Sequence, residues 1–522
     1  MIDKLGKRGH LGNISECDSA ARGLCRWREL TGDEVMTGLN AIREGGGGPA
    51  EAPGAGLVRQ TVELLVLLSL CVLMARTFSA EAYVVPTGSM APTLLGWHRE
   101  LVCTECQFPY VVGIDEDGRT GSAVCPNCGQ REVDQTPASE CGGDRVLVQK
   151  FLFEFRRPKR WEVAVFHYPE DPSQAYVKRV VGLPGESIRL DHGDVYVDGR
   201  LVRKSLEEQR AMRLLVADSR FEPRDAGRPA RWLFRSGWGY RSAATGWTRR
   251  GPEFVHEALP HAEPGGDWIL YRHWDPARKR YGPVRDFYAY NGGELPAENE
   301  VTDLGLEARL TVGESVEAIG VALRSGSDLF RVRIPVGLPG ELELVRHDGR
   351  RVALTHCWNP FAAEGPWPRR VTLEASVFDR RVLVAIDGRL LFDPMDYDQA
   401  RPGPSSASDT PVALGVVGGD LAISELRVYR DVHYTGSLAN TPRQSHATRS
   451  AVQLGRDDYF VLGDNSPVSH DSRFWSEGPV VPGSMLLGKP FLVHLPGEVV
   501  PLQVFGRSVC WVPDPRRIRY IR

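Results

Sequence analysis

The strongest apolar signal along the chain is the run from Leu64 to Ala75, twelve residues without a charge, flanked by Glu63 and Arg76. Alone it falls short of the roughly 20 residues a bilayer core needs. Leu57–Val62 and Thr77–Val85 extend it, with Arg76 free to snorkel to the interface. The pattern therefore predicts a transmembrane anchor over residues 57–82, a buried core helix being the alternative. It begins too deep in the chain to be a cleavable leader. Residues 1–56 carry no periodic pattern and end in the linker "EGGGGPAEAPGAG", so they read as a tail in which Met36 is a second possible start.

Beyond the anchor the period shortens to two. Residues 83–102 form an extended, proline-punctuated stretch, and residues 142–204 read as short strands: "DRVLVQKFLF", "WEVAVFHYP", "AYVKRVVGLPG" and "ESIRLDHGDVYVDGR". Their Val, Ile, Phe and Tyr content between Gly, Pro and Asp breaks predicts an antiparallel sheet, with hairpin turns at "DHGD" and "VDGR". "SLEEQRAMRLLVADSRF" predicts a helix. A long series of alternating strands follows, from "DLGLEARLTV" to "ELRVYRD", with a hairpin at Asp387-Gly388, and predicts a β-sandwich over residues 205–435. Its pattern resembles concanavalin-like or laminin-G-like jelly rolls, and the "ARPGPSSASDTP" stretch reads as one of its loops. Residues 436–522 return to the strand-loop-strand character of 142–204. The expected fold class is mainly β.

With 522 residues, two or more folded units are expected. A net charge of −3 excludes a global nucleic-acid binder, and the basic tail "PRRIRYIR" reads as a solvated terminus. Ten cysteines are too few for a disulfide scaffold. Four of them stand as "CTEC" and "CPNC", eighteen residues apart, inside residues 103–141. That spacing predicts a structural zinc ribbon held by Cys103, Cys106, Cys125 and Cys128, with no open position for catalysis and with disulfides as the alternative. Cys141 is left unassigned, Cys71 reads as membrane packing, and Cys357 and Cys510 as buried.

The candidate chemistry lies in "YVVPTGSMAPTLLG", where Ser89 sits between Gly88 and Met90. A serine hydroxyl is a poor nucleophile without a base. In "YVKRVVGLPG", strand alternation puts Lys178 on one face with Tyr176 and Val180, and Val177 and Arg179 on the other. Burial could lower this lysine's pKa enough for it to serve as that base. Singly, each reads as a turn serine and a solvated strand lysine.

"ARTFSAEAYVVPTGSMAPTL", "GDRVLVQKFLF", "YVKRVVGLPGESI" and "VLGDNSPVSHDSR", in this order behind an apolar segment, resemble the bacterial type I signal peptidases (leader peptidases) over perhaps a third of the chain. The resemblance implies a membrane-bound serine endopeptidase that removes signal peptides from exported preproteins without a catalytic cofactor. It implies Ser89 as nucleophile, Lys178 as general base, Ser469 as the hydroxyl orienting the lysine, and Thr87 as an oxyanion donor. Asp471 and Arg473 match a bracing pair, and Asp464 and Asn465 belong to the same loop. Tyr83, Val85, Pro86, Met90, Tyr176 and Val177 would line shallow pockets for the small residues of an A-x-A cleavage site. Ser466 stands where the family usually has Arg, and Arg160-Trp161-Glu162 stands where "RGD" is frequent. The implied setting is the inner membrane, crossed once, with the catalytic part on the extracytoplasmic side; Arg43 and Arg59 give a thin positive-inside signal. Two other readings stand beside this one. The first is a membrane-tethered scaffold whose sandwich binds a glycan or protein. The second is a self-cleaving repressor of related Ser-Lys chemistry, disfavoured by the anchor and the lack of a DNA-binding module.

Overall fold

The computed structural model describes residues 3–4, 59–70 and 80–521, apart from 115–119, 133–139, 238–243, 260–264, 276–277, 294–296, 338–339, 364, 399–409, 437–444, 496–498, 505–506 and 514. Residues 4–81 form one compact unit; residues 1–3 with 82–522 form another.

In the first unit, residues 59–70 are helical and exposed all round. Leu64, Leu65, Val66, Leu67, Leu68 and Leu70 are each more than half exposed to solvent. Among the described residues no helix is long and apolar enough to cross a membrane. Residues 71–79, the second half of the expected anchor, with Cys71, lie outside the described residues, as do Met36, the N-terminal linker and most of "ARPGPSSASDTP".

The second unit is almost entirely antiparallel sheet. One sheet runs, in spatial order, through Arg145–Gln149, Leu486–Leu495, Val163–Tyr168, Asp171–Gly182, Asp458–Leu462 and Val481–Pro482. Lys178 pairs with Ala164 on one side, and Arg179 with Leu462 on the other. Strands far apart in the sequence are thus hydrogen-bonded neighbours. A small sheet, Ser187–Asp191 with Asp194–Val197, closes through His192 and Gly193, both at positive φ (52° and 90°). Asp198 and Gly199 make the next turn with φ of 50° and 76°, the left-handed pair that tight hairpins require.

Residues 214–430 form two facing antiparallel sheets. One is built around Leu304–Val312, Arg369–Phe378 and Leu421–Arg430, the other around Asp267–Tyr271, Val316–Ser325 and Val412–Gly418. Alternate side chains of both point into one core, including Leu306, Leu310, Ile319, Val321, Leu373 and Leu414. Asp387 and Gly388 turn the hairpin there (φ 50° and 81°). The helix expected over the whole of "SLEEQRAMRLLVADSRF" is shorter. Ser205 and Glu208 form a capping box that starts Leu206–Met212, and Leu214–Asp218 is a strand on Leu421–Arg430. The apolar run Leu214–Ala217 is buried by that sheet, which overrides helical periodicity. At the neck of this region Lys204 Nζ donates to Asp379 and Asp431, 2.7 Å each, with all three buried.

Candidate active site

Val85 leaves its strand toward Pro86, and the chain tightens into a 3-10 turn, Gly88–Met90, that presents Ser89. Lys178, from the middle of Asp171–Gly182, reaches it: Nζ donates to Ser89 Oγ at 2.7 Å. Ser89 is 8% exposed and Lys178 1%, so the contact sits in a dry environment. Burial pushes the lysine's pKa down to about 8; Asp471 opposes this and Arg473 adds to it. The Tyr176 ring lies 5.3 Å from Nζ on the same strand face. A buried lysine near neutrality beside a hydroxyl is the arrangement a general base requires.

The loop after Asp458–Leu462 surrounds this pair. Asn465 N–H donates to Ser89 O (3.1 Å), and its side-chain amide to Gly88 O (3.0 Å). Asp471 and Arg473 form a fully buried bidentate pair, Nε to Oδ1 at 2.9 Å and Nη2 to Oδ2 at 2.8 Å; Asp471 also accepts from Gly463 N–H. Burial alone would raise the Asp471 carboxyl; the guanidinium outweighs it and holds the pKa below the usual value. Ser469 is wholly buried, and a Cβ on Gly463 would lie 2.2 Å from its Oγ. Only glycine fits there. The Ser469 hydroxyl makes no hydrogen bond to Lys178, whose ammonium is turned to Ser89 instead. This differs from the orienting contact the resemblance implies. Thr87 is half-buried at the start of the turn and does not cap it.

Asp464 is not beside Lys178 but on the other face of its strand, where it takes Arg179 in a bidentate pair (2.7 and 2.6 Å) and accepts from Thr93. Arg179, placed on this face by strand alternation but given no role there, ties Asp464 to Trp161 O (2.6 Å). The signal was there: a second cation in an otherwise apolar strand, on the face opposite the lysine, needs a buried partner. Ser466, the departure from the family's Arg, is 2% exposed and accepts from Arg473 Nη1 at 2.7 Å, so no room remains for a longer side chain. Trp161 replaces the glycine of the frequent "RGD" at φ 68°, a left-handed position, and packs under Lys204 Nζ at 5.0 Å.

Of the expected pocket residues, Tyr83, Val85, Met90 and Val177 close on one another in a buried cluster. Tyr176 stacks on Tyr168 at 4.2 Å and, like Pro86, stays half-exposed.

Away from this site, the four CxxC thiols converge. Cys103 and Cys128 Sγ are 3.5 Å apart, Cys106 and Cys125 Sγ 3.6 Å, and all four lie within 4.8 Å of one another. None is in a disulfide. The two knuckles repeat one geometry: Gln107 N–H to Cys103 O and Gly129 N–H to Cys125 O, both 2.9 Å, with Gln107 and Gly129 at positive φ. Four sulfurs on a tetrahedral ion at about 2.3 Å would be about 3.8 Å apart, so the set fits zinc with little adjustment. Cys141 is buried beside His98 and Glu100. Cys357 is exposed, contrary to expectation, because it lies on a surface loop rather than on a strand. The side chain of Cys510 lies outside the described residues.

Comparison with known proteins reaches three of the four boxes, the one with Ser89 lying outside the residues matched by the family model. The family model "Signal peptidase, peptidase S26" matches residues 132–235 and 405–495, a match that contains Lys178 and the loop of Ser469 and is interrupted within the two-sheet region. A probable signal peptidase I-1 of Synechocystis sp. is 27% identical over 150 residues, 27% of this chain and 53% of that protein. A signal peptidase I of Pseudomonas aeruginosa is 30% identical over 148 residues, 26% of this chain and 36% of that protein. The chain thus spans about half the length, or less, of these curated relatives. Among solved structures, a Caenorhabditis elegans galectin covers 28% of the chain at 15% identity with a TM-score of 0.19, too slight a likeness to bear on the fold. In the two matched segments, and in these relatives, the chain is similar to the signal peptidase family, peptidase S26.

Proposed function

We propose that the chain is a membrane-bound serine endopeptidase that removes N-terminal signal peptides from exported preproteins. The 2.7 Å contact between buried Lys178 Nζ and Ser89 Oγ carries this reading. Neutral Lys178 takes the Ser89 hydroxyl proton as Oγ attacks the scissile carbonyl, and an acyl-enzyme forms when the proton passes to the leaving amine. Lys178 then activates the water that releases the acyl group. Ser89 N–H and the Thr87 hydroxyl receive the oxyanion. Asp471, Arg473 and Asp464 hold the loop, and Ser469 fills the space beneath it. The half-exposed Tyr176 and Pro86, opening onto the buried Tyr83, Val85, Met90 and Val177, would accept small side chains at alternate positions of an extended A-x-A peptide.

The apolar, fully exposed helix at 59–70 supports an anchor over 57–82, single-pass in the inner membrane with the catalytic part outside the cytoplasm. The domain division follows as part of the proposal: catalytic segments 83–102, 142–204 and 436–522, a ribbon at 103–141 holding a structural zinc, and a two-sheet insert at 205–435. The ion would fix the knuckles and supply no catalytic chemistry. The deciding test is cleavage of a preprotein ending its targeting segment in A-x-A by wild type, Ser89→Ala and Lys178→Ala. Processing lost in both variants supports the pair; intact preprotein with folded, inserted wild type would favour the tethered scaffold.

A further inference from the structure

The two-sheet region sends one loop, Phe287–Gly293, toward the nucleophile. Its root is held by Arg430, 4% exposed, whose Nη2 donates to Asp286 O and Phe287 O at 3.2 and 3.0 Å. At its tip Tyr290 and Asn291 occupy a 3-10 turn, Ala289–Asn291. Tyr290 is 6% exposed and lies against two glycines from different segments. A Cβ on Gly88 would come 2.0 Å from its ring, and one on Gly113 2.4 Å. Its hydroxyl donates to Trp97 O at 3.0 Å. Gly293 N–H donates to Ser122 O at 2.6 Å, so the loop is also seated on the cysteine-bearing segment.

Asn291 meets Asn465 in a reciprocal amide pair: Asn291 Nδ2 to Asn465 Oδ1 at 2.8 Å, Asn465 Nδ2 to Asn291 Oδ1 at 2.6 Å. Asn465 is the residue from which the Ser89 turn hangs, through Ser89 O and Gly88 O. The Asn465 amide donates from Nδ2 to Gly88 O, and Asn291, which accepts from the same Nδ2 and donates to Oδ1, holds the amide in that orientation. Among the described residues, Asn291 is the donor that reaches Asn465 Oδ1.

We infer that Asn291 is a positioning residue for the Ser89 turn, so that the two-sheet region is part of the catalytic apparatus and not only a docking module. The inference rests on the proposed Ser89–Lys178 reaction. Displacing a nucleophile by an ångström costs on the order of 100-fold in rate. Asn291→Ala removes this hold while leaving the Tyr290 wedge, so kcat falls about 10–100-fold with KM within about twofold. Asn291→Asp keeps an acceptor for Asn465 Nδ2 but turns the donor to Oδ1 into a second acceptor, so it recovers little of the loss.

The test uses the full chain in lipid vesicles, with cleavage of an A-x-A preprotein by wild type, Ser89→Ala, Asn291→Ala and Asn291→Asp. Hydrogen–deuterium exchange of peptides spanning 86–96 and 463–468, and thermal midpoints, are read beside it. Faster exchange and lower kcat in Asn291→Ala, at an unchanged midpoint, are the expected results. Unchanged exchange overturns the inference whether or not cleavage is seen, as does kcat within twofold of wild type. A kcat loss that follows a lowered midpoint overturns it in favour of a purely stabilising role. Wild type that leaves the preprotein intact, by contrast, removes the enzymatic reading itself and the catalytic part of this inference with it.

Discussion

Replacing Lys178 by Met removes a charge from a site that is 1% exposed while keeping an unbranched side chain of similar length. Burial moves the lysine from its ordinary 10.5 to about 8. At 1.36 kcal/mol per unit, that difference is about 3 kcal/mol of penalty against the folded state. The sign follows from proton counts. Between pH 8 and 10.5 the unfolded chain binds the lysine proton and the folded chain does not, so stability rises with pH there, and below pH 8 the penalty is fully present. Lys178→Met is therefore expected to be more stable than wild type by up to about 3 kcal/mol at pH 7, the advantage shrinking to nothing by pH 10.5. The difference between the two proteins' denaturant midpoints across pH 6 to 10.5 isolates this one group. The same shift governs rate. The reactive species is neutral lysine, about 1% of the total at pH 6 and half at pH 8, so kcat/KM should rise about 50-fold over that interval with an apparent pKa near 8. A lysine variant less stable than wild type at pH 7, or a pH-rate profile still climbing steeply above pH 9, would refute the claim that burial tunes this base.

Three further outcomes follow from the surroundings. Asp464→Ala leaves Arg179 buried without its carboxylate and should cost about 3–5 kcal/mol, read as a loss of midpoint in chemical denaturation. Gly88→Ala puts a methyl group 2.0 Å from the Tyr290 ring and should slow cleavage at least 100-fold, measured by single-turnover assay. Asp194 is half-buried beside Asp379, and desolvation with that second carboxylate raises it to about 7, so its charge destabilises the fold increasingly from pH 4 to pH 7; Asp194→Asn should raise the thermal midpoint at pH 8 and leave it unchanged at pH 4.

Much of this site could be read from the chain because each piece has a local cause. Lys178 is legible through strand alternation, the hairpins at Asp198-Gly199 and Asp387-Gly388 through their turn chemistry, and the four thiols through CxxC spacing. What escaped was set by partners distant in sequence. Nothing near "RLLVADSRF" says that a sheet strand from Leu421–Arg430 will claim it. Nothing near "YAYNGG" says that Asn291 will find Asn465. Ser466 looked like a lost arginine until Thr435 and Arg473 were seen to use its hydroxyl.

The same distances explain how so long an intervening stretch is compatible with the site. Lys178 and Asp464 sit on segments joined by the long detour, yet Asp171–Gly182 and Asp458–Leu462 are adjacent strands. A flexible loop of that length would cost only a slowly growing closure entropy, but it would leave the register of the pair to chance. Here the two ends of the detour are held together. It leaves at Lys204 and returns at Asp431, and these residues are ion-paired at 2.7 Å. Leu214 and Arg430 then pair as strand neighbours immediately beyond. The ends of the intervening stretch are thereby held as a hairpin would hold them. With its ends fixed, the loop at 287–293 can be aimed back at Ser89 with the accuracy that a hydrogen bond to Asn465 demands.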